Sequence, residues 1–255
     1  VELLDSYYFS DFSKDKISEV AEKLNKVFCK NISNETRDYL LSRGVSKEDI
    51  VKYEWGTCVD VSIKNHSHIL PIFKKSDLVK DDGSTAMIGM PIYPIRHAEG
   101  YIVGFQARSL ETKKYYTMPL NSIQPNIYGM HLYGPGKKQI AFITEGWFDF
   151  FSVSKSIPIN VPIISCLTAN VRNNYLTYLS RWFSRLVFLF DIGYWDTDAG
   201  KIVKQRIVSS GISYDIIDFP KIPNIKDWSE FYQTYGEAKT ASLLLKMIPE
   251  LESIL

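Results

Sequence analysis

Between residues 139 and 220 short apolar runs alternate with helical stretches, and no other feature limits the possible folds of this chain as strongly. The runs at 140–144, 162–165, 185–190 and 214–219 have strand length. The stretches between them, about 148–156, around Tyr175 to Leu179 and about 199–210, carry helical spacing. A β-α-β-α-β-α-β order predicts a parallel sheet covered by helices, each crossover right-handed. Such sheets bind their ligands beyond the carboxyl ends of the strands.

Carboxylates fall at those ends. The first run stops at Glu145-Gly146, and Asp149 follows in the first turn of the next helix. The third run stops at Asp191, followed by Asp196, Asp198, Ala199 and Gly200. Asp227 and Glu230 come shortly after the fourth run. Taken alone, Glu145 and Asp149 also fit an ordinary solvated strand-to-helix loop. Several acids meeting at one sheet edge repel one another unless cations lie between them. Oxygen-only ligands, with no His or Cys nearby, select hard cations, Mg²⁺ first and Mn²⁺ second.

Upstream the pattern differs. Residues 1–30 read as helix, with Ile17, Val20, Ala21, Leu24, Val27 and Phe28 at helical spacing. Short helices follow from Asn34 to Leu41, closed by Arg43-Gly44, and from the Ser46 N-cap. Residues 53–109 read as strands, including 69–73, 91–95 and 101–108, with a charged loop at 74–84. Residues 109–138 read as irregular. There and at Arg108, basic Lys113, Lys114, Lys137 and Lys138 are mixed with Tyr115, Tyr116, Tyr128 and Tyr133. That mixture suits a surface that tracks a nucleic-acid backbone and stacks bases, and equally a solvated loop. The final stretch, from Gly236 onward, reads as a long amphipathic helix.

Composition narrows the classes. The 255 residues suffice for one large or two small domains, and a net charge of +1 excludes bulk polycation binding. Three scattered cysteines, Cys29, Cys58 and Cys166, exclude a disulfide framework and a Cys-based zinc site, and favour a cytoplasmic setting. No apolar run is long enough for a membrane span. The first residue is Val, so the chain reads either as a piece of a longer protein or as one that has lost its initiator Met.

The order strand-Glu-Gly-x-x-Asp, strand-Asp, then Asp-x-Asp-Ala-Gly-Lys resembles the Toprim domain of bacterial-type primases, topoisomerases and some nucleases. Further segments resemble the catalytic core of DnaG-like primases. They are Arg37 to Ser46 (helix-Arg-Gly), Pro94-Ile95-Arg96 to Arg108 ("PIR…GxVIGFxGR"), and Lys114-Tyr115-Tyr116-Thr117 ("PKYLN"). Tyr128 to Gly134 ("LYG") and Lys226-Asp227-Trp228 ("GKDP") complete the series. The likeness spans roughly residues 30–235, in order. It implies an α/β fold: a basic α+β N-terminal subdomain at 1–138, a Toprim-type parallel sheet with flanking helices at 139–220, and a helical C-terminal tail at 221–255. It further implies a DNA-directed RNA polymerase that makes short RNA primers on single-stranded DNA from NTPs, by metal-dependent nucleotidyl transfer. Mg²⁺ or Mn²⁺, at two or more sites, would be held by Glu145, Asp149, Asp191, Asp196 or Asp198, and Asp227. Glu145, Lys114 and Arg108 are the expected catalytic residues; Arg43, Arg108, Lys113, Lys114 and Tyr115 would grip nucleotide or template. A replicative helicase is the implied partner, through regions outside this chain, in a nucleoid or phage replication complex.

The chain also departs from the pattern. Ile192-Gly193-Tyr194-Trp195 separates Asp191 from the next acids, so either Asp196 or Asp198 could complete Asp-x-Asp. The family's "SLGT" is Ser165-Cys166-Leu167-Thr168, without its glycine, and Ser229 replaces the acid two residues beyond Asp227. No zinc ribbon is present in these residues. Such divergence fits phage or mobile-element primases. It also leaves two alternatives: a Toprim nuclease, or a degenerate module that binds single-stranded DNA or a partner without chemistry.

Overall fold

A computed structural model describes residues 14–59, 85–120, 125–134, 136–157, 160–249 and 251, although not the side chains of residues 14–17. The expected strand at 69–73, the loop at 74–84 and the first part of the expected N-terminal helix lie outside them. The chain divides into two compact units, one of residues 1–97 and 101–122, the other of 98–100 and 123–255.

In the first unit, helices α1 (Lys14–Lys30), α2 (Asn34–Ser42) and α3 (Lys47–Lys52) precede strands β1 (Gly56–Thr57), β2 (Pro91–Arg96), β3 (Ile102–Arg108) and β4 (Tyr115–Pro119). Ser33 and Ser46 cap α2 and α3 by accepting from Thr36 N and Asp49 N. The strands form an antiparallel sheet in the order β1-β2-β3-β4. One face of α1, with Ala21, Leu24 and Phe28, shares a core with Ile92, Ile102, Phe105 and Ala107. Arg96, at the end of β2, pins that helix to the sheet: its guanidinium reaches Glu22 on α1 at 2.5 Å and Glu54 at 2.6 Å. Strand β4 lies where irregular chain was expected. Its aromatic and β-branched Tyr115-Tyr116-Thr117 suits an edge strand, and Pro119, which has no N–H, sits where an edge tolerates it.

In the second unit, β5 (Lys138–Thr144), β6 (Ile163–Ser165), β7 (Phe183–Phe190) and β8 (Ser213–Asp218) form a parallel sheet in the order β6-β5-β7-β8. Helices α4 (Trp147–Ser156), α5 (Asn173–Ser180) and α6 (Asp198–Ser210) make the crossovers, and α7 (Trp228–Met247) follows the sheet. The parallel sheet and its crossovers are as the alternation predicts. Leu176, Leu179, Val203 and Ile207 of α5 and α6 cover the face carrying Ala141, Ile143, Leu186 and Phe188. Buried Phe142, Val187 and Leu189 alternate with those residues and so point to the other face, which gives the continuous apolar runs of a doubly covered sheet. Helix α4 packs on α7, with Phe151 against Tyr232 at 5.8 Å between ring centroids. The last helix begins earlier than its periodicity suggests, and it is broken at Gly236 (φ 79°, ψ 178°).

The inserted residues form a short 3₁₀ turn (Tyr194–Asp196). Trp195 stacks on Phe190 at 5.2 Å, and the Tyr194 hydroxyl donates to Ala169 O at 2.6 Å. Gly200 makes this packing possible, because a Cβ there would lie 2.1 Å from Tyr194 O. The insertion is thus an aromatic plug in the core at the end of β7.

Candidate active site

The strand order reverses between β5 and β7: each crosses over to a neighbour on its outer side. The crevice at such a switch point is where doubly wound sheets bind ligands. Glu145 ends β5 and Asp191 ends β7 at this point. Ser165, at the end of β6, donates from its hydroxyl to Glu145 O at 3.1 Å and holds the turn. Gly146 follows; a Cβ there would stand 3.3 Å from an Asp149 carboxylate oxygen, so the bare α-carbon gives that carboxylate room. Asp149 is buried in the first turn of α4.

Asp227 arrives from the far side of the unit. Phe219, just past β8, packs edge-on against Trp228 at 5.0 Å, which seats the start of α7. Asp227 caps that helix by accepting from Glu230 N at 2.7 Å. Its neighbour Ser229 donates its backbone N–H to Asp149 Oδ1 at 3.1 Å. The Ile192 N–H donates to Lys226 O at 3.2 Å, tying the Asp191 loop to the same segment. The outcome is a cluster of Asp149, Asp191 and Asp227 with one oxygen of each within 4.8 Å of the others.

The electrostatics follow from that packing. Burial, then Asp227 and Asp191, hold the Asp149 carboxyl well above the usual carboxylate range, against the opposing Ser229 N–H. Burial, then Glu145 and Asp227, push Asp191 up to about 7, although Lys226 acts the other way. Burial and Asp227 also raise Glu145. Three oxygen donors that destabilise one another's charge fit a hard divalent cation, which would remove the repulsion. Among the described residues this is the one group of three or more Asp, Glu, His or Cys side chains able to hold a metal.

Asp196 and Asp198 lie outside this group. Asp196 ends the 3₁₀ turn in solvent. Asp198 is 99% exposed in the first turn of α6 and pairs with Lys201 at 3.4 Å. Lys226, Ser229 and Glu230 support the cluster: Lys226 Nζ lies 3.2 Å from Glu230 and 3.9 Å from Asp227. The Asp-Trp-Ser-Glu helix-start signal marks this segment in sequence, but not its contact with Asp149.

In the first unit a basic cluster collects Arg43, Arg108 and Tyr115. The Arg108 guanidinium lies 4.7 Å over the Tyr115 ring, donates to the Tyr115 hydroxyl, and faces the Tyr39 ring at 5.8 Å. Burial raises the Tyr39 phenol, although Arg108 and Arg43, the C-cap of α2, act the other way. Tyr39, one turn before Arg43, is the member that sequence reasoning passed over. Lys113 and Lys114 are exposed in the β3–β4 loop, which is closed by Ser109 N–H donating to Lys114 O at 2.9 Å.

The chain is similar in sequence to DNA primases and in fold to DnaG-type primase catalytic cores. A DNA primase from Thermotoga maritima is 26% identical over 234 residues; the match takes in 83% of this chain and 40% of that relative, so the chain spans about two fifths of its length. The zinc-binding and RNA polymerase domains of the Aquifex aeolicus primase superpose with a TM-score of 0.71 at 18% identity, over 92% of this chain and 62% of that one. A DnaG primase catalytic domain bound to ssDNA gives 0.69 at 17% identity, over 93% and 86%. No family model matches the chain.

Proposed function

We propose that this chain is the RNA-polymerising core of a DNA primase, joining NTPs into a short RNA on single-stranded DNA. The observation that carries this reading is the Asp149–Asp191–Asp227 cluster at the switch point of a sheet homologous to primase cores. Bound Mg²⁺ or Mn²⁺, at two or more sites, would acidify the attacking 3′ hydroxyl and neutralise the departing pyrophosphate. Asp149, Asp191 and Asp227 ionise to hold the cations. Glu145, raised above the usual carboxylate range by burial and Asp227, would accept or hold a proton there. Ser165 fixes the Glu145 turn, and Ser229 fixes Asp149. Arg43, Arg108, Lys113 and Lys114 bind phosphates, and Tyr115 offers a ring for stacking. On this reading residues 1–138 are the basic subdomain, 139–220 the metal-binding one and 221–255 a helical tail. Helicase docking belongs to other parts of a longer protein, and the setting is a cytoplasmic replication complex. Among the described residues no helix is long and apolar enough to cross a membrane.

The test is incubation with single-stranded DNA, labelled NTPs and Mg²⁺ or Mn²⁺, with and without an initiating dinucleotide. Short RNA from the native chain, absent for Glu145→Ala, is the expected result. Nicked DNA with no RNA would replace this reading with a Toprim nuclease. DNA binding with neither product would leave a non-catalytic module.

A further inference from the structure

One side chain joins the loop after β7 to the loop after β6. Tyr194 follows Asp191 by three residues, and its N–H closes a turn back on Asp191 O at 3.2 Å. Its hydroxyl donates to Ala169 O at 2.6 Å. Because the sheet runs β6-β5-β7, that bond crosses over the end of β5, where Glu145 stands. The ring packs on Phe190 at 5.3 Å and on Trp195 at 5.1 Å, so ring and hydroxyl have separate contacts. The phenol stays a neutral donor: burial, then Glu145, push it up to about 12, although Arg206 acts the other way.

The loop that Tyr194 reaches is itself held at both ends. Cys166 N–H donates to Thr144 O at 3.1 Å, and Leu167 N–H donates to the Ser165 hydroxyl that fixes the Glu145 turn. From α6, Arg206 Nη1 donates to Asn170 Oδ1 at 2.7 Å and to Val171 O at 3.2 Å. The Asp191 turn is thus anchored twice, through Ile192 N–H to Lys226 O and through the Tyr194 hydroxyl to Ala169 O. Without a cation, Asp149 and Asp227 repel the Asp191 carboxylate. A turn fixed on two sides resists that push and spares a cation the entropy of ordering its ligand.

We propose that Tyr194 is a positioning residue for the cation site: its hydroxyl straps the Asp191 turn to the Ala169 loop and holds the Asp191 carboxylate ready for a divalent cation. The inference rests on the reading of Asp149, Asp191 and Asp227 as that site. Tyr194 touches no reacting group; it acts through Asp191.

The test is Mn²⁺ titration of the full chain, read as loss of the free-ion EPR signal, with circular dichroism to verify folding. Partners behind a metal ligand are worth roughly 10- to 100-fold in metal affinity, and Tyr194 stands one step further out. Tyr194→Phe keeps the ring and should weaken Mn²⁺ binding about tenfold. Excess Mn²⁺ should then restore the native rate of primer synthesis, because affinity is lost and chemistry is not. Arg206→Gln removes a cation, so charge alone would tighten Mn²⁺ binding; loosening the Ala169 loop should weaken it instead. The double variant should lose little beyond Tyr194→Phe. Native affinity in folded Tyr194→Phe, or full additivity with Arg206→Gln, would overturn the positioning role and leave the cation site intact. If Tyr194→Phe does not fold, Arg206→Gln decides: weaker Mn²⁺ binding upholds the strap, and unchanged or tighter binding overturns it. Failure of the native chain to bind Mn²⁺ would remove the cation-site reading and this inference together.

Discussion

The backbone N–H of Ser229 donates to Asp149 Oδ1 across 3.1 Å and joins the first turn of α7 to the first turn of α4. Eighty residues separate the two in sequence. The contact brings the Asp227 segment to the carboxyl edge of the sheet, where the acids repel one another and a divalent cation fits.

Asp191→Asn removes one charge from the cluster and keeps the shape. Without divalent cation at pH 8 the variant should melt a few degrees higher than the native chain, because repulsion falls. Primer synthesis should fall at least about a hundredfold, because the cation loses a ligand. Thermal melts in chelator and a synthesis assay check the two halves, and a lower melting point would count against the repulsion.

Stability without metal should decline as pH rises toward and through about 7, the value to which Asp191 is pushed. Its folded form keeps a proton that the unfolded chain has already released, so the folded state binds more protons over that interval and loses ground as they leave. The contribution is complete below the ordinary carboxylate range and gone above about 7. Mg²⁺ or Mn²⁺ should reverse the trend, because only ionised carboxylates bind it. Melts at pH 5.5 and 8, with chelator and with Mn²⁺, should show opposite slopes.

Leu167 occupies the left-handed region at φ 54°, at the position where the resembled motif has glycine. Leu167→Gly and Leu167→Ala remove the same packing but differ in backbone freedom. The glycine variant should be the more stable by about 1 kcal/mol, the reverse of the usual order for these residues. Urea denaturation of the two variants measures the difference.

Arg96 is 12% exposed and binds both Glu22 and Glu54. Arg96→Met should destabilise the first unit by about 2 kcal/mol, because two carboxylates keep their partial burial without a cation. The surface pair Lys23–Glu19 makes the comparison: Lys23→Ala should change stability far less, because both side chains are solvated. Chemical denaturation of the two variants should rank them in that order.

The parallel sheet, its helices and the strand-end positions of Glu145 and Asp191 were legible because period and run length are local properties. Strand β4 was not, since its Tyr-rich edge has the composition of a basic loop and becomes a strand only by pairing with β3. Asp196 and Asp198 look like partners of Asp191 because they are near it in sequence. Trp195, seated on Phe190, turns that segment into the core and leaves both acids in solvent.

The amino-acid pattern by itself determined that a parallel sheet would end in carboxylates, because alternating apolar runs and the Glu-Gly turn are set by neighbouring residues. Which carboxylates meet was decided only by tertiary structure. Asp227 reaches Asp149 because Phe219 and Trp228 pack, and Arg108 at the end of β3 meets the Tyr39 ring of α2. Those contacts join elements far apart in the chain, and the burial that draws them together acts on surfaces that exist only after folding.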